Sequence, residues 1–377
     1  MPECVNPLYP CAMTGAASCL AGFDGITVVI HGSSGCYYYP ATLLHAPLSG
    51  TFILEEEVIF GSEERLTKVI EEIGKTGKRI AVLTTCVPAI LGEDIRAMLS
   101  AYDVILVDSP GFTGPYEAGY KKSLSILAPQ VSPESAGINI DGVSLFDPFF
   151  RGNTHELFRL LSLAGVPVAT VLCADTFAKV GTCSPYTITT DEDLASGIGS
   201  CIGGTLGLDA LRDTFRQIVR VIETSDPDPV FEEIKREEER LINACDKYLR
   251  RFDPPDVAIF SNFSYAAFAA RTLKKYLDAE ILCIGSRTKP GRDLPFRTVW
   301  ATGLSDVQEL IRQSGPDLVI GSSFERSVKG DAAFVGLTPP LRGKVRLFPR
   351  PLAGTGGTML FIEEVLNACM DRQSIHT

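Results

Sequence analysis

Cys11, Cys36 and Cys86 are the side chains best suited to chemistry in this 377-residue sequence. Each lies beside glycine or proline, in Cys11-Ala-Met-Thr-Gly15, His31-Gly-Ser-Ser-Gly-Cys36 and Thr84-Thr-Cys86-Val-Pro88. Thiolates are soft ligands that select zinc, copper(I) or iron–sulfur clusters. Zinc modules bring ligands in close pairs such as C-x-x-C. This chain has no such pair, and its three cysteines stand 25 and then 50 positions apart. That spacing suits a cluster cradled by a preformed fold. It equally suits three structural thiols, because free cysteine is common in protein cores. Gly32 and Gly35, which would let backbone approach a bulky ligand, favour the cluster.

The elements that must position these residues follow an alternating pattern. Short apolar, β-branched runs at 26–30, 79–84, 104–108, 166–172, 257–261, 281–284 and 317–321 end near Gly, Ser, Thr or Asp, as strands buried on both faces of a parallel sheet do. Helical stretches at 63–73, 94–99, 155–164 and 266–277 separate them. Strand–helix–strand repetition predicts an α/β protein with mostly parallel, doubly wound sheets. Cys36 and Cys86 then fall just past the carboxyl ends of strands, where ligands bind in open α/β sheets. Cys11 falls in an irregular segment before the first strand. Pro88 is placed as the first residue of the following helix, whose unpaired N–H groups would face Cys86. The length exceeds one ordinary core. A polar stretch from Gln130 and the Asp253-Pro-Pro-Asp256 turn divide it into three Rossmann-like domains, 1–132, 133–252 and 253–377. The charged stretch 231–251 that closes the second reads as a solvated helix.

Other chemistries are poorly served. Net charge is −11 with no basic cluster, which argues against a nucleic-acid partner. No run approaches the roughly 18 apolar residues of a membrane span. The Met1-Pro-Glu-Cys4 start lacks the features of a signal peptide, so a cytoplasmic protein is expected. Eleven cysteines in a reducing compartment are not a disulfide framework; Cys245, Cys283 and Cys369 read as core residues. No P-loop is present, and Gly354-Thr-Gly-Gly-Thr358 reads as a turn into the last helix rather than an anion nest. The chain should not hydrolyse ATP by itself. Neither a G-x-S-x-G elbow nor H-E-x-x-H occurs, and catalytic residues are not identifiable. His31 and His45 suit a proton donor, a metal ligand or a hydrogen-bonded structural histidine, and Tyr37-Tyr-Tyr39 suits a pocket lining or packing.

The three cysteine segments together, with Cys86-x-Pro-x-x-x-Gly-x-Asp-Ile at the third, resemble the cluster-ligand segments of the nitrogenase component 1-like family in order and spacing. The likeness is thinner at Gly203-Gly-Thr-Leu-Gly207 and Pro316-Asp-Leu-Val-Ile-Gly-Ser322. It implies that Cys11, Cys36 and Cys86 ligate a [4Fe-4S] cluster fed by an ATP-hydrolysing iron-protein partner. No counterpart of the residues that hold nitrogenase's iron–molybdenum cofactor is found. The compact length is most similar to members that reduce and cyclise a nickel tetrapyrrole, nickel-sirohydrochlorin a,c-diamide, for the nickel coenzyme of methanogens. That resemblance implies an oxidoreductase acting as a homodimer. A protochlorophyllide- or chlorophyllide-type reductase subunit, a non-catalytic scaffold for metallocofactor assembly and a metal-chelate binding module are the alternatives. A two-fold dimer doubles each ligand: one shared [4Fe-4S] cluster would take four of the six thiolates and leave a pair spare, whereas a larger double cluster could use all six. Two separate clusters would each need a fourth ligand, for which Cys4, Cys19, Asp24 and solvent are candidates. Arg287, Lys289 and Arg326 are candidates for binding substrate carboxylates.

Overall fold

The computed structural model describes residues 8–44, 46–343 and 345–376. Cys4 and His45 lie outside them. The chain forms two compact units: residues 1–135 with 143–146 and 170–183, and residues 136–142 with 147–169 and 184–377.

The first unit is built on four strands, β1 (Ile26–His31), β2 (Leu48–Gly50), β3 (Arg79–Thr84) and β4 (Val104–Asp108), in the order β2-β1-β3-β4. All its pairings are parallel, and the β1–β3 register sets His31 beside Thr84. Val28, Val29 and Ile30 of β1 and Ala81, Val82 and Leu83 of β3 are buried, the signature of strands covered on both faces. Helices α1 (Ala12–Ala21), α2 (Ser34–Leu44), α3 (Glu55–Phe60), α4 (Glu63–Gly74), α5 (Cys86–Leu91), α6 (Ile95–Met98) and α7 (Tyr116–Leu127) complete the unit. Leu66 and Ile70 of the amphipathic α4 pack on Val29, Ile80 and Val82.

The second unit contains two further sheets. In the first, β5 (Ile138–Asp141), β6 (Val168–Val171, whose last two residues are counted with the first unit), β7 (Tyr186–Thr189) and β8 (Ser200–Gly204) run in the order β6-β5-β7-β8. In the next, β9 (Asp256–Ser261), β10 (Glu280–Ser286), β11 (Thr298–Trp300), β12 (Leu318–Gly321) and β13 (Ala333–Gly336) run β11-β10-β9-β12-β13. Its helices are α8 (Phe150–Leu163), α9 (Leu208–Val221), α10 (Asp228–Leu249), α11 (Phe263–Leu277), α12 (Leu304–Ser314), α13 (Ser323–Val328) and α14 (Gly354–His376). The α/β architecture with parallel sheets is the one expected.

Several local expectations need correction. The Cys11 segment is not irregular: Cys11 is the N-cap of α1, a helix buried from residue 12 to residue 20. Its run of Ala, Gly and Ser hid the usual amphipathic signal. Helix α5 starts at Cys86 and not at Pro88, which sits in its first turn, where a missing N–H is harmless. The Gly354 turn does lead into α14, but its donors hold an anion of the chain's own: Glu156 Oε1 accepts from Gly356 N at 2.8 Å and Thr355 Oγ1 at 3.0 Å.

Candidate metal centre

Each of the three cysteines sits in the first turn or at the cap of a helix in the first unit. Cys11 caps α1 with extended backbone, Cys36 is the third residue of α2, and Cys86 is the first of α5. All three are free and partly exposed. Unpaired N–H groups and the dipole of a helix N-terminus favour a thiolate there.

Glycines decide how closely the segments meet. Thr85 N donates to His31 O at 3.2 Å, and a Cβ on Gly32 would lie 1.8 Å from Thr85 Oγ1. The freedom of Gly32 therefore serves the junction of the Cys36 and Cys86 loops rather than contact with a ligand. Around Gly35 there is open space. The residue that brings two sulfurs together is Gly111, which sequence reasoning missed. Its N–H donates to Cys86 Sγ at 3.2 Å, and a Cβ built on it would lie 3.0 Å from Cys11 Sγ and 3.3 Å from Cys86 Sγ. The available signal was a Ser109-Pro-Gly-Phe-Thr-Gly114 run just past the strand at 104–108, the same position relative to β4 that Cys86 holds relative to β3.

Burial pushes the Cys36 thiol up; the Ser33 and Thr85 hydroxyls oppose this, and the charges of Cys86 and Cys11 reinforce it. The three cysteines thus sense one another. Ser109, at the same edge, has a fully buried hydroxyl with no hydrogen-bond partner among the described residues. Among the described residues no group of three or more His, Cys, Asp or Glu side chains is gathered for one metal ion. The described residues thus do not by themselves preform a mononuclear zinc site. A polynuclear cluster presents a separate iron to each thiolate. The donor set here, soft sulfurs with a backbone N–H aimed at one and a side-chain-free Gly111 beside two, fits such a group.

Other candidates are placed elsewhere. His31 is fully buried, with Nδ1 3.1 Å from Thr51 Oγ1 and Nε2 3.1 Å from Ser62 Oγ. Glu93 Oε2 lies 3.5 Å from Nε2 and accepts from Ser62 Oγ at 2.7 Å. Both ring nitrogens are engaged, so His31 is a structural residue. Cys19 is buried in α1, its Sγ 3.4 Å from that of Cys173, about 12 Å along the helix from Cys11. Asp24, past the far end of α1, bonds Gly25 N and reaches Lys78 at 3.4 Å. Neither is beside the three cysteines. Tyr37 donates to Leu48 O at 3.1 Å, whereas Tyr38 and Tyr39 are exposed. In the second unit Arg287 is buried and paired with Glu325, which removes it as a carboxylate binder. Arg326 lies over the Phe334 ring at 6.0 Å, and Lys289 is exposed.

Similarity to known proteins extends over most of the chain. The profile of nitrogenase component 1 type oxidoreductases matches residues 11–370. The nitrogenase iron-molybdenum cofactor biosynthesis protein NifE of Clostridium pasteurianum is 24% identical over 365 residues, covering 84% of this chain and 78% of that one. The nitrogenase molybdenum-iron protein beta chain of Frankia alni is 31% identical over 190 residues, which is 43% of this chain and only 36% of the relative. The solved structure of nitrogenase Cp1 at pH 6.5 superposes with a TM-score of 0.82 at 17% identity, covering 99% of this chain and 94% of that one. The chain belongs to the nitrogenase component 1 type oxidoreductase family.

Proposed function

We propose that this protein is the cluster-bearing catalytic subunit of an ATP-dependent reductase that reduces and cyclises a nickel tetrapyrrole, nickel-sirohydrochlorin a,c-diamide. An iron-protein partner would hydrolyse the ATP and deliver the electrons. The observation that carries the reading is the meeting of Cys11 and Cys86 over Gly111, with Cys36 electrostatically linked to both. Cys11, Cys36 and Cys86 would hold a [4Fe-4S] cluster, and that group, when bound, supplies one-electron storage and transfer. The chain's own contribution is to anchor three thiolates on helix N-termini, donate Gly111 N–H to Cys86 Sγ and keep backbone, not side chain, at Gly111.

Three thiolates fall short of the four that a [4Fe-4S] cluster takes. A two-fold homodimer would supply the remainder from a second copy. The helices that carry Cys36 and Cys86 also expose Tyr38, Tyr39, Ile90 and Leu91, and nearby α3 exposes Ile59 at 75% and Phe60 at 85%. Large apolar side chains left in water mark an interaction surface. Three lobes, 1–132, 133–252 and 253–377, one per sheet, belong to the same proposal, as does a cytoplasmic location.

The likeness to NifE over 84% of the chain favours a second reading, a scaffold on which a metallocofactor is assembled. Both readings require the cluster. Iron and sulfide analysis with electron paramagnetic resonance of anaerobically purified, dithionite-reduced protein tests it. Cys36→Ala should lose iron and Cys245→Ala, altered in the core, should keep it. Full iron retention in Cys36→Ala removes the assignment. Turnover of nickel-sirohydrochlorin a,c-diamide with an iron protein and ATP separates the enzyme from the scaffold.

A further inference from the structure

The Gly203-Gly-Thr-Leu-Gly207 segment plays no part in the cysteine site. It runs from the end of β8 into α9, and its residues 204–207 line a cavity of about 160 Å³ in the second unit. Thr189 and Thr190 at the end of β7 form one wall, and Ser264, Phe268, Arg271 and Thr272 of α11 another. The cavity thus lies at the carboxyl ends of two parallel strands, where open α/β sheets bind ligands.

Its lining is built for negative charge. Helix α9 is capped by Gly207, which has no side chain to satisfy the first-turn N–H groups of Leu208, Asp209 and Ala210 at the cavity wall. Such a terminus attracts anions. Thr272 is 5% exposed, and among the described residues its hydroxyl has no hydrogen-bond partner, so a polar group of a buried side chain is left open to the same space. A ligand oxygen could accept from it. The lining charges settle the sign. Asp209 is held by Lys275 at 2.7 Å and Arg212 at 2.9 Å, and Glu192 by Arg292 at 2.9 Å. Among the described residues Arg271 is the lining charge with no acidic partner, and its guanidinium matches the planar geometry of an oxyanion.

We infer that this crevice binds an oxyanion, the carboxylate or phosphate group of a small molecule, through Arg271, the Thr272 hydroxyl and the first turn of α9. The volume admits such a group and a short stem, not a macrocycle. The inference does not depend on the cluster, because no lining residue belongs to the first unit.

Thermal-shift titration of the full-length protein with inorganic phosphate and, separately, succinate tests it, against sodium chloride at matched ionic strength. At least one of the two should raise the melting temperature in a saturable manner. Arg271→Gln, a change at an exposed side chain, should weaken that binding about tenfold, the loss expected for a charge-assisted bond. Thr272→Val should weaken it less. Saturation by phosphate alone assigns a phosphoryl ligand, and by succinate alone a carboxylate. No saturable shift with either, or equal binding by wild type and Arg271→Gln, overturns the inference.

Discussion

The α-carbon of Gly15 faces the carbonyl of Tyr116 so closely that a Cβ on it would lie 1.9 Å from the oxygen. The contact is reciprocal, since a Cβ on Gly119 would lie 1.7 Å from Ala12 O. These two glycines let α1 and α7 pack backbone to backbone, and Ala12 N completes the junction by donating to Gly114 O at 3.1 Å. Cys11 is the cap of α1, so its position is inherited from this helix pair. Gly15→Ala should therefore destabilise the protein by about 3 kcal/mol, the upper range for overpacking, and lower its iron content. Gly74→Ala, with nothing within 4 Å of the added methyl, should change stability by less than about 1 kcal/mol. Urea denaturation of both variants makes the comparison.

Gly111→Ala addresses the centre more directly. The methyl would press on Cys11 Sγ and Cys86 Sγ at 3.0 and 3.3 Å, the space that a bound cluster would also need. Two partly exposed thiols can turn aside, so the cost in stability should stay near 1 kcal/mol. Iron content should nonetheless fall well below that of wild type. A Gly111→Ala protein with full iron and an unchanged paramagnetic spectrum would show that the cluster sits elsewhere.

The strongly apolar strands and the ends where chemistry collects were legible because strands buried on both faces spell themselves out, as Val28-Val-Ile30 and Ala81-Val-Leu83 do. The strands missed are short and polar, such as Ser200–Gly204 and Tyr186–Thr189. Their place is fixed by neighbours rather than by their own pattern. The pairing of Cys11 with Cys86 was legible only as order and spacing. What joins them is Gly111, a residue with no side chain to announce a role. The Arg287 error has a similar origin: one cannot see from its position after β10 that Glu325, 38 residues later, will bury it.

His31 gives the stability of the fold a pH dependence. Its folded pKa is lowered, by burial first, against the opposing pull of Glu93. The unfolded chain takes up a proton near the usual value of about 6.5, whereas the folded imidazole resists it. The contribution of His31 to stability is therefore fully present above that value and is lost as pH falls toward the folded pKa. The denaturation midpoint of wild type should drop between pH 8 and pH 5 more than that of His31→Gln, which keeps polar atoms for Thr51 and Ser62 without titrating. Parallel profiles for the two proteins would mean that His31 binds its proton as readily in the fold as in the unfolded chain.

The Arg287–Glu325 pair should behave as a buried salt bridge whose value lies in its completeness. Both side chains are essentially inaccessible, and Glu325 Oε2 also accepts from Ser322 N and Ser322 Oγ, each at 2.7 Å. Glu325→Gln leaves a guanidinium without its counter-charge at the end of β10, and removing one partner of a buried pair costs about 3–5 kcal/mol. Arg287→Met with Glu325→Gln removes both charges and retains a hydrogen-bonding group for Ser322. The double variant should therefore recover most of the stability that the single variant loses. A double-mutant cycle by urea denaturation measures the coupling. If the double variant is no more stable than Glu325→Gln alone, then Arg287 is held by its backbone and by packing, and the pair contributes nothing of its own.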